Sequence, residues 1–241
     1  MTRLLIAALA TILLAFPAGA TTVTVAVNHS PPYRIVSDSK FSGFYIEVFD
    51  AIAEELGWTV KYREMPFRRI LWMMENGDAD IMLGALPTSE RLEYMDFSVP
   101  AFPPEPKRFF HLAGNPTVTE YSDLQGKMIG VLRGSTYSER FDNDPELILE
   151  AGVSYRILMG MLAADRLDLV VAPEMVGRHT AAKVSDDILI APYTIMGAHS
   201  YIAISRHSDI MGSRQDLRSA LKRIRKNGTF QRIFQRYTNR E

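Results

Sequence analysis

The chain has 241 residues, of which 47% are hydrophobic, 10% aromatic and 23% charged. That balance excludes a disordered chain or a coiled coil and allows a substantial core. Twenty-seven Lys and Arg against 28 Asp and Glu leave a formal charge of −1, without the basic excess expected of a nucleic-acid-binding protein. The absence of cysteine removes disulfides, thiolate metal sites, a cysteine nucleophile and any lipid anchor attached through sulfur.

Arg3 is followed by an apolar run from Leu4 to Phe16, relieved only by Thr11. As a helix this run would span about 20 Å, short of the roughly 30 Å hydrocarbon core of a bilayer. Pro17 breaks it, and Ala18-Gly19-Ala20 supplies the small-x-small pattern of a cleavage site, so residues 1–20 read as a cleaved signal peptide. The expectation is a soluble exported protein with no lipid anchor.

Beyond Thr22, strand and helix patterns alternate. Val23 to Val27 reads as a strand, and the turn-rich Asn28-His29-Ser30-Pro31-Pro32 follows it. Ile46, Phe49, Ile52, Ala53 and Leu56 recur at helical spacing, with Gly57 placed to end the helix. Thr59 to Tyr62 reads as a strand, Phe67 to Asn76 as a helix closed by Gly77, and Ile81 to Leu83 as a strand. Prolines at 100, 103, 104 and 106 then precede an extended run, Arg108 to Leu112.

A second alternating unit follows, with strands at Met128 to Leu132 and Leu167 to Val171 and helices at Tyr155 to Ala164 and Glu174 to Ala182. One more strand, Tyr201 to Ile204, precedes helical stretches Ser213 to Lys226 and Thr229 to Arg236. Nine basic residues against two acids mark the stretch from Ser213 to Glu241. Leu217, Leu221 and Ile224 form its apolar stripe, so the charges read as the solvated face. Strand-helix alternation predicts α/β lobes, each a mostly parallel sheet flanked by helices.

Five segments, in order, resemble the periplasmic solute-binding proteins of the amino-acid-binding type, which share the ligand-binding fold of glutamate receptors. They are Pro31-Pro32-Tyr33 with Gly43 to Val48, Gly77 to Ile81, Thr88-Ser89-Glu90-Arg91 with Asp96 to Pro100, Asp123 to Lys127, and Gly130 to Thr136. The resemblance covers about Val23 to Tyr237. It implies a two-lobed clamp with two crossing strands as hinge. Lobe one would comprise 22–107 plus 197–241 and lobe two 108–196, with Arg108 to Leu112 as one crossing segment.

In such a clamp Arg91 would grip a ligand carboxylate with its planar fork. Ser135 and Thr136, read as opening a helix after Gly134, would offer hydroxyls and free N–H groups to an anion. Phe67 would form an aromatic wall, and Ser30 would face the ligand from the first loop. The chain also departs from the pattern. The carboxylate that holds an α-ammonium is replaced by Pro173, with Glu174 next, and a usual serine or threonine by Leu86, with Gly84 two residues before it. Arg133 adds a second possible cation. The expected ligand is therefore a small carboxylate-bearing molecule, either an amino acid held through Glu174 or an acid lacking the ammonium.

No HExxH, P-loop or Gly-x-Ser-x-Gly motif occurs, and neither metal nor cofactor is expected. The enzyme alternative is a cyclohexadienyl-dehydratase-like activity with Glu174 as general acid. The partners expected are the ligand and the permease of an ATP-driven importer, with no nucleic acid, and the protein is expected to be a monomer.

Overall fold

A computed structural model describes residues 21–238; the expected signal peptide lies outside them. The β-branched run after Thr21 forms β1 (Thr22–Val27), which is followed by a Pro31-Pro32 turn and a small hairpin, β2 (Ile35–Ser37) with β3 (Lys40–Ser42). Helix α1 (Phe44–Leu56) buries Phe44, Ile46, Val48, Phe49 and Ile52 and ends at Gly57. Next come β4 (Thr59–Glu64), α2 (Phe67–Asn76), β5 (Ile81–Ala85), the short α3 (Ser89–Tyr94) and β6 (Met95–Phe102).

The chain then leaves this unit and builds a second. Its elements are β7 (Lys107–Leu112), β8 (Met128–Leu132), α4 (Glu139–Asp142), β9 (Ile148–Gly152), α5 (Tyr155–Ala163), β10 (Leu169–Pro173), α6 (Glu174–Ala181) and β11 (Ile188–Ile195). It returns through β12 (Ser200–Ser205) and ends in α7 (Arg214–Lys226) and α8 (Thr229–Thr238).

Among the described residues the two lobes each hold a five-stranded sheet, in the orders β4-β1-β5-β12-β6 and β11-β7-β10-β8-β9. The expected mostly parallel pairing is corrected to a half-and-half mixture. β1 pairs in parallel with β4 and β5, and β8 with β9 and β10. In contrast, β12 is antiparallel to β5 and β6, and β7 to β10 and β11. The cause is the double passage between lobes: an outgoing and a returning strand laid side by side must run in opposite directions. The hinge is corrected too. Arg108 to Leu112 belongs to the second sheet, and the passages are made by 103–106 and 196–199, which have no regular structure.

Strand alternation gives the second sheet two apolar faces. Leu169 and Val171 join Phe109, Ile129 and Phe141 in one cluster. Val170 and Ala172 join Phe110 and Leu158 in another, which continues into lobe one. Burial on both faces explains the uninterrupted apolar run through β10. In lobe one, Phe44 meets Phe230 and Phe234 edge-on at 5.8 and 5.4 Å, which seats α8 against α1. The basic C-terminal stretch is partly tied inward. Arg218 donates to the Ser98 carbonyl (2.6 Å), Arg225 to that of Ala101 (3.0 Å), and Arg223 pairs with Glu55 (2.6 Å).

Candidate functional site

The C-terminal ends of β1, β5, β8 and β10 meet in a cleft between the lobes, the position where α/β sheets bind ligands. The two passages cross beside it so closely that a Cβ on Gly197 would stand 2.0 Å from the Glu105 carbonyl oxygen. Backbone touches backbone there, and only glycine fits.

Arg91 stands at the seam. Thr88 caps α3 by accepting the Arg91 N–H at 3.2 Å, which fixes the first turn and turns the side chain toward the cleft. Its guanidinium donates to the Leu86 carbonyl of lobe one (2.9 Å) and to the Gly134 carbonyl of lobe two (2.6 Å). It also lies 5.8 Å from the Phe67 ring centre. Burial pulls its pKa below the usual arginine value, against the attraction of Tyr94, Glu90 and Asp142. It remains a cation, because arginine keeps its proton in proteins.

Arg34 is a second buried cation, 8% exposed. The turn that carries it is closed by Ser30 N–H to Arg34 carbonyl (2.7 Å) and Arg34 N–H to Ser30 carbonyl (3.0 Å). The guanidinium then reaches the Leu83 carbonyl at 2.6 Å and lies 5.5 Å from the Tyr45 ring centre. Gly84 makes this possible. Its φ is +84°, and a Cβ there would stand 2.3 Å from the Tyr45 ring and 2.8 Å from an Arg34 nitrogen. Tyr45 itself stacks between Tyr33 and Phe102, 4.3 and 3.7 Å from their ring centres, and its hydroxyl shares a hydrogen bond with Ser200.

Two more ionisable groups come from the outgoing passage and the strand it enters. Glu105 accepts the Met175 N–H at 2.7 Å and so caps α6 from outside the helix, whose own N-cap is Pro173. Burial pushes the Glu105 carboxyl up, while Tyr33, Lys107 and the Met175 N–H pull it down. Burial lowers Lys107 in turn, opposed by Glu105.

Of the residues singled out by sequence, Ser30, Phe67, Gly84, Leu86, Arg91, Ser135, Thr136 and Pro173 line this cleft. Arg133 and Glu174 do not. Arg133 is exposed and donates to the Ala151 carbonyl at 3.1 Å, and Glu174 pairs with Arg178 one turn along α6 at 2.7 Å. Ser135 and Thr136 do not open a helix either. The chain from 135 to 138 is irregular, and α4 begins only at Glu139 under a Ser138 cap. Sequence reading passed over Tyr33, Arg34, Tyr45, Glu105, Lys107, Tyr155 and Ser200, all of which line the cleft. A lone acid between prolines at 104 and 106 was the available signal for Glu105. Among the described residues no cluster of His, Asp and Glu suits a metal ion, and no helix is long and apolar enough to cross a membrane.

The family model for bacterial extracellular solute-binding proteins, family 3, matches residues 23–240. A probable histidine-binding protein of Neisseria gonorrhoeae is 26% identical over 240 residues, covering 90% of this chain and 86% of that one. A probable histidine-binding protein of Campylobacter jejuni is 25% identical over 158 residues, which is 64% of this chain and 61% of the relative's length. The solved structure of an ancestral arginine-binding protein bound to arginine superposes with a TM-score of 0.79 at 24% identity, covering 90% of this chain and 98% of that one.

Proposed function

Since the chain belongs to the bacterial extracellular solute-binding proteins of family 3, we propose that it traps a small carboxylate-bearing ligand between its lobes and delivers it to a membrane transporter. In this reading the chain is exported through a cleaved signal peptide and works in the periplasm as a monomer, handing its ligand to the permease of an ATP-driven importer. It is a binding protein rather than an enzyme. Glu174, the acid of the dehydratase alternative, is held by Arg178 outside the cleft.

One observation carries the proposal: the Arg91 guanidinium spans the seam, bonded to a carbonyl of each lobe. A carboxylate arriving there exchanges neutral acceptors for a charged one, and charge-assisted bonds are about twice as strong as neutral ones. Thr136 and the hydroxyl of Ser135 complete the grip from lobe two. Because such a ligand touches both lobes, it favours the shut state over the open one.

A thermal-shift screen tests this, pairing each α-amino acid with its deaminated analogue. A ligand at a thousand times its dissociation constant stabilises by about 4 kcal/mol, an easily read rise in melting temperature. A panel in which no carboxylate raises the melting temperature contradicts the reading.

A further inference from the structure

We infer that the ligand carries two acidic groups, one held at Arg91 and the other at Arg34, so that the cleft takes a small dicarboxylate in preference to a basic or neutral amino acid. The inference rests on the carboxylate-trapping reading and sharpens it.

The argument starts from charge. Arg34, Arg91, Glu105 and Lys107 are the acidic and basic side chains that line the cleft. Glu105 and Lys107 cancel when both are ionised, which leaves the balance to the two arginines. Neither arginine takes part in an ion pair among the described residues, where the pairs are Arg178–Glu174, Arg223–Glu55 and Arg236–Glu47. Two guanidiniums, 8% and 4% exposed, therefore face one enclosed space with carbonyl oxygens as their acceptors. Glu105 attracts Arg34, and Glu90 and Asp142 attract Arg91, without ion-pair contact. A buried charge that lacks an ion-pair partner is costly, and two anionic groups on one ligand lower that cost at both places.

Geometry points the same way. Both guanidiniums are anchored at the end of β5, Arg34 on the Leu83 carbonyl and Arg91 on that of Leu86. Both side chains line the one cleft, so a single short ligand lying there can meet each with an acidic group. Arg34 uses one N–H on Leu83 and its Nε on the Asn28 carbonyl at 3.4 Å. That leaves three of its five donors for a ligand. A cationic ligand side chain would bring a further positive charge to this space. An α-ammonium would find Pro173 where a carboxylate is needed, and Glu105 already committed to the Met175 N–H.

Calorimetric titration of the protein with succinate, glutarate and adipate, against butyrate, pentanoate, hexanoate and arginine, tests the inference. At least one dicarboxylate should bind ten times more tightly than its monocarboxylate partner, with no binding of arginine. Arg34→Gln should erase that ratio and Arg34→Lys should keep it, with both variants first checked for an unchanged circular-dichroism spectrum. A monocarboxylate or arginine that binds as tightly as the best dicarboxylate overturns the inference, as does a ratio that survives Arg34→Gln. If none of these seven compounds binds but a neutral or basic member of the amino-acid panel does, the inference falls and the carboxylate-trapping reading stands; binding confined to aspartate or glutamate upholds both. If neither panel binds, both fall.

Discussion

The Glu105 carboxylate accepts the Met175 N–H at 2.7 Å, so a residue of the passage between lobes caps the helix that follows β10. A helix start left without an acceptor costs stability, and Pro173 has no side-chain acceptor to offer. The hinge and the first turn of α6 are thereby one mechanical unit.

Glu105→Ala leaves the Met175 N–H without this acceptor. The expected loss is about 1–3 kcal/mol, read as a lower urea midpoint with an unchanged slope. Glu105→Gln retains an acceptor oxygen and is expected to lose less than half of that. Equal losses in the two variants would show that the carboxylate's charge, not its hydrogen bond, holds the helix.

Gly197→Ala places a methyl group 2.0 Å from the Glu105 carbonyl oxygen. Neither passage can yield without moving a lobe, so the expected cost is about 1–3 kcal/mol. Small-angle scattering should report a more open pair of lobes. A variant as stable and as closed as the parent would contradict this crossing.

Phe44→Ala removes the ring on which Phe230 and Phe234 rest. A loss of about 3–5 kcal/mol is expected, with hydrogen exchange in α8 accelerating more than in α5. Uniform acceleration across both lobes would contradict the local role.

Acid should weaken the fold through His179, which shares an interlobe groove with His29 and Lys183. Its Nε2 is buried without a hydrogen-bond partner, and burial, Lys183 and His29 hold its pKa below the usual 6.5. Below pH 6.5 the unfolded chain therefore binds more protons at this site than the folded one, and stability falls as pH drops toward the folded value. His179→Gln is expected to flatten the stability profile between pH 5 and 7; an unaltered slope would remove His179 from the explanation.

Much of this architecture was legible in the sequence because the elements repeat at their own periods. Helix α2 occupies the residues its apolar spacing marks, and β8 those of its apolar run. Strand β9 was not legible, since Ile148 and Leu149 are exposed at a sheet edge and the segment carries no alternation. The six-residue α3 is too short to show a period, yet its Thr88 cap is what aims Arg91. The cleft was read from motifs on strand ends, which found Arg91 and Ser135. Arg34 and Glu105 escaped because a tight turn and a non-repetitive passage carry them, and only the tertiary fold sets their directions.

The most direct measurement is calorimetric titration of the parent and Arg91→Ala with the carboxylate that gives the largest thermal shift. Loss of a charged, two-bond grip on a carboxylate is expected to weaken binding by about a hundredfold, or roughly 3 kcal/mol, while circular dichroism shows the fold intact. Undiminished affinity in Arg91→Ala would contradict the account.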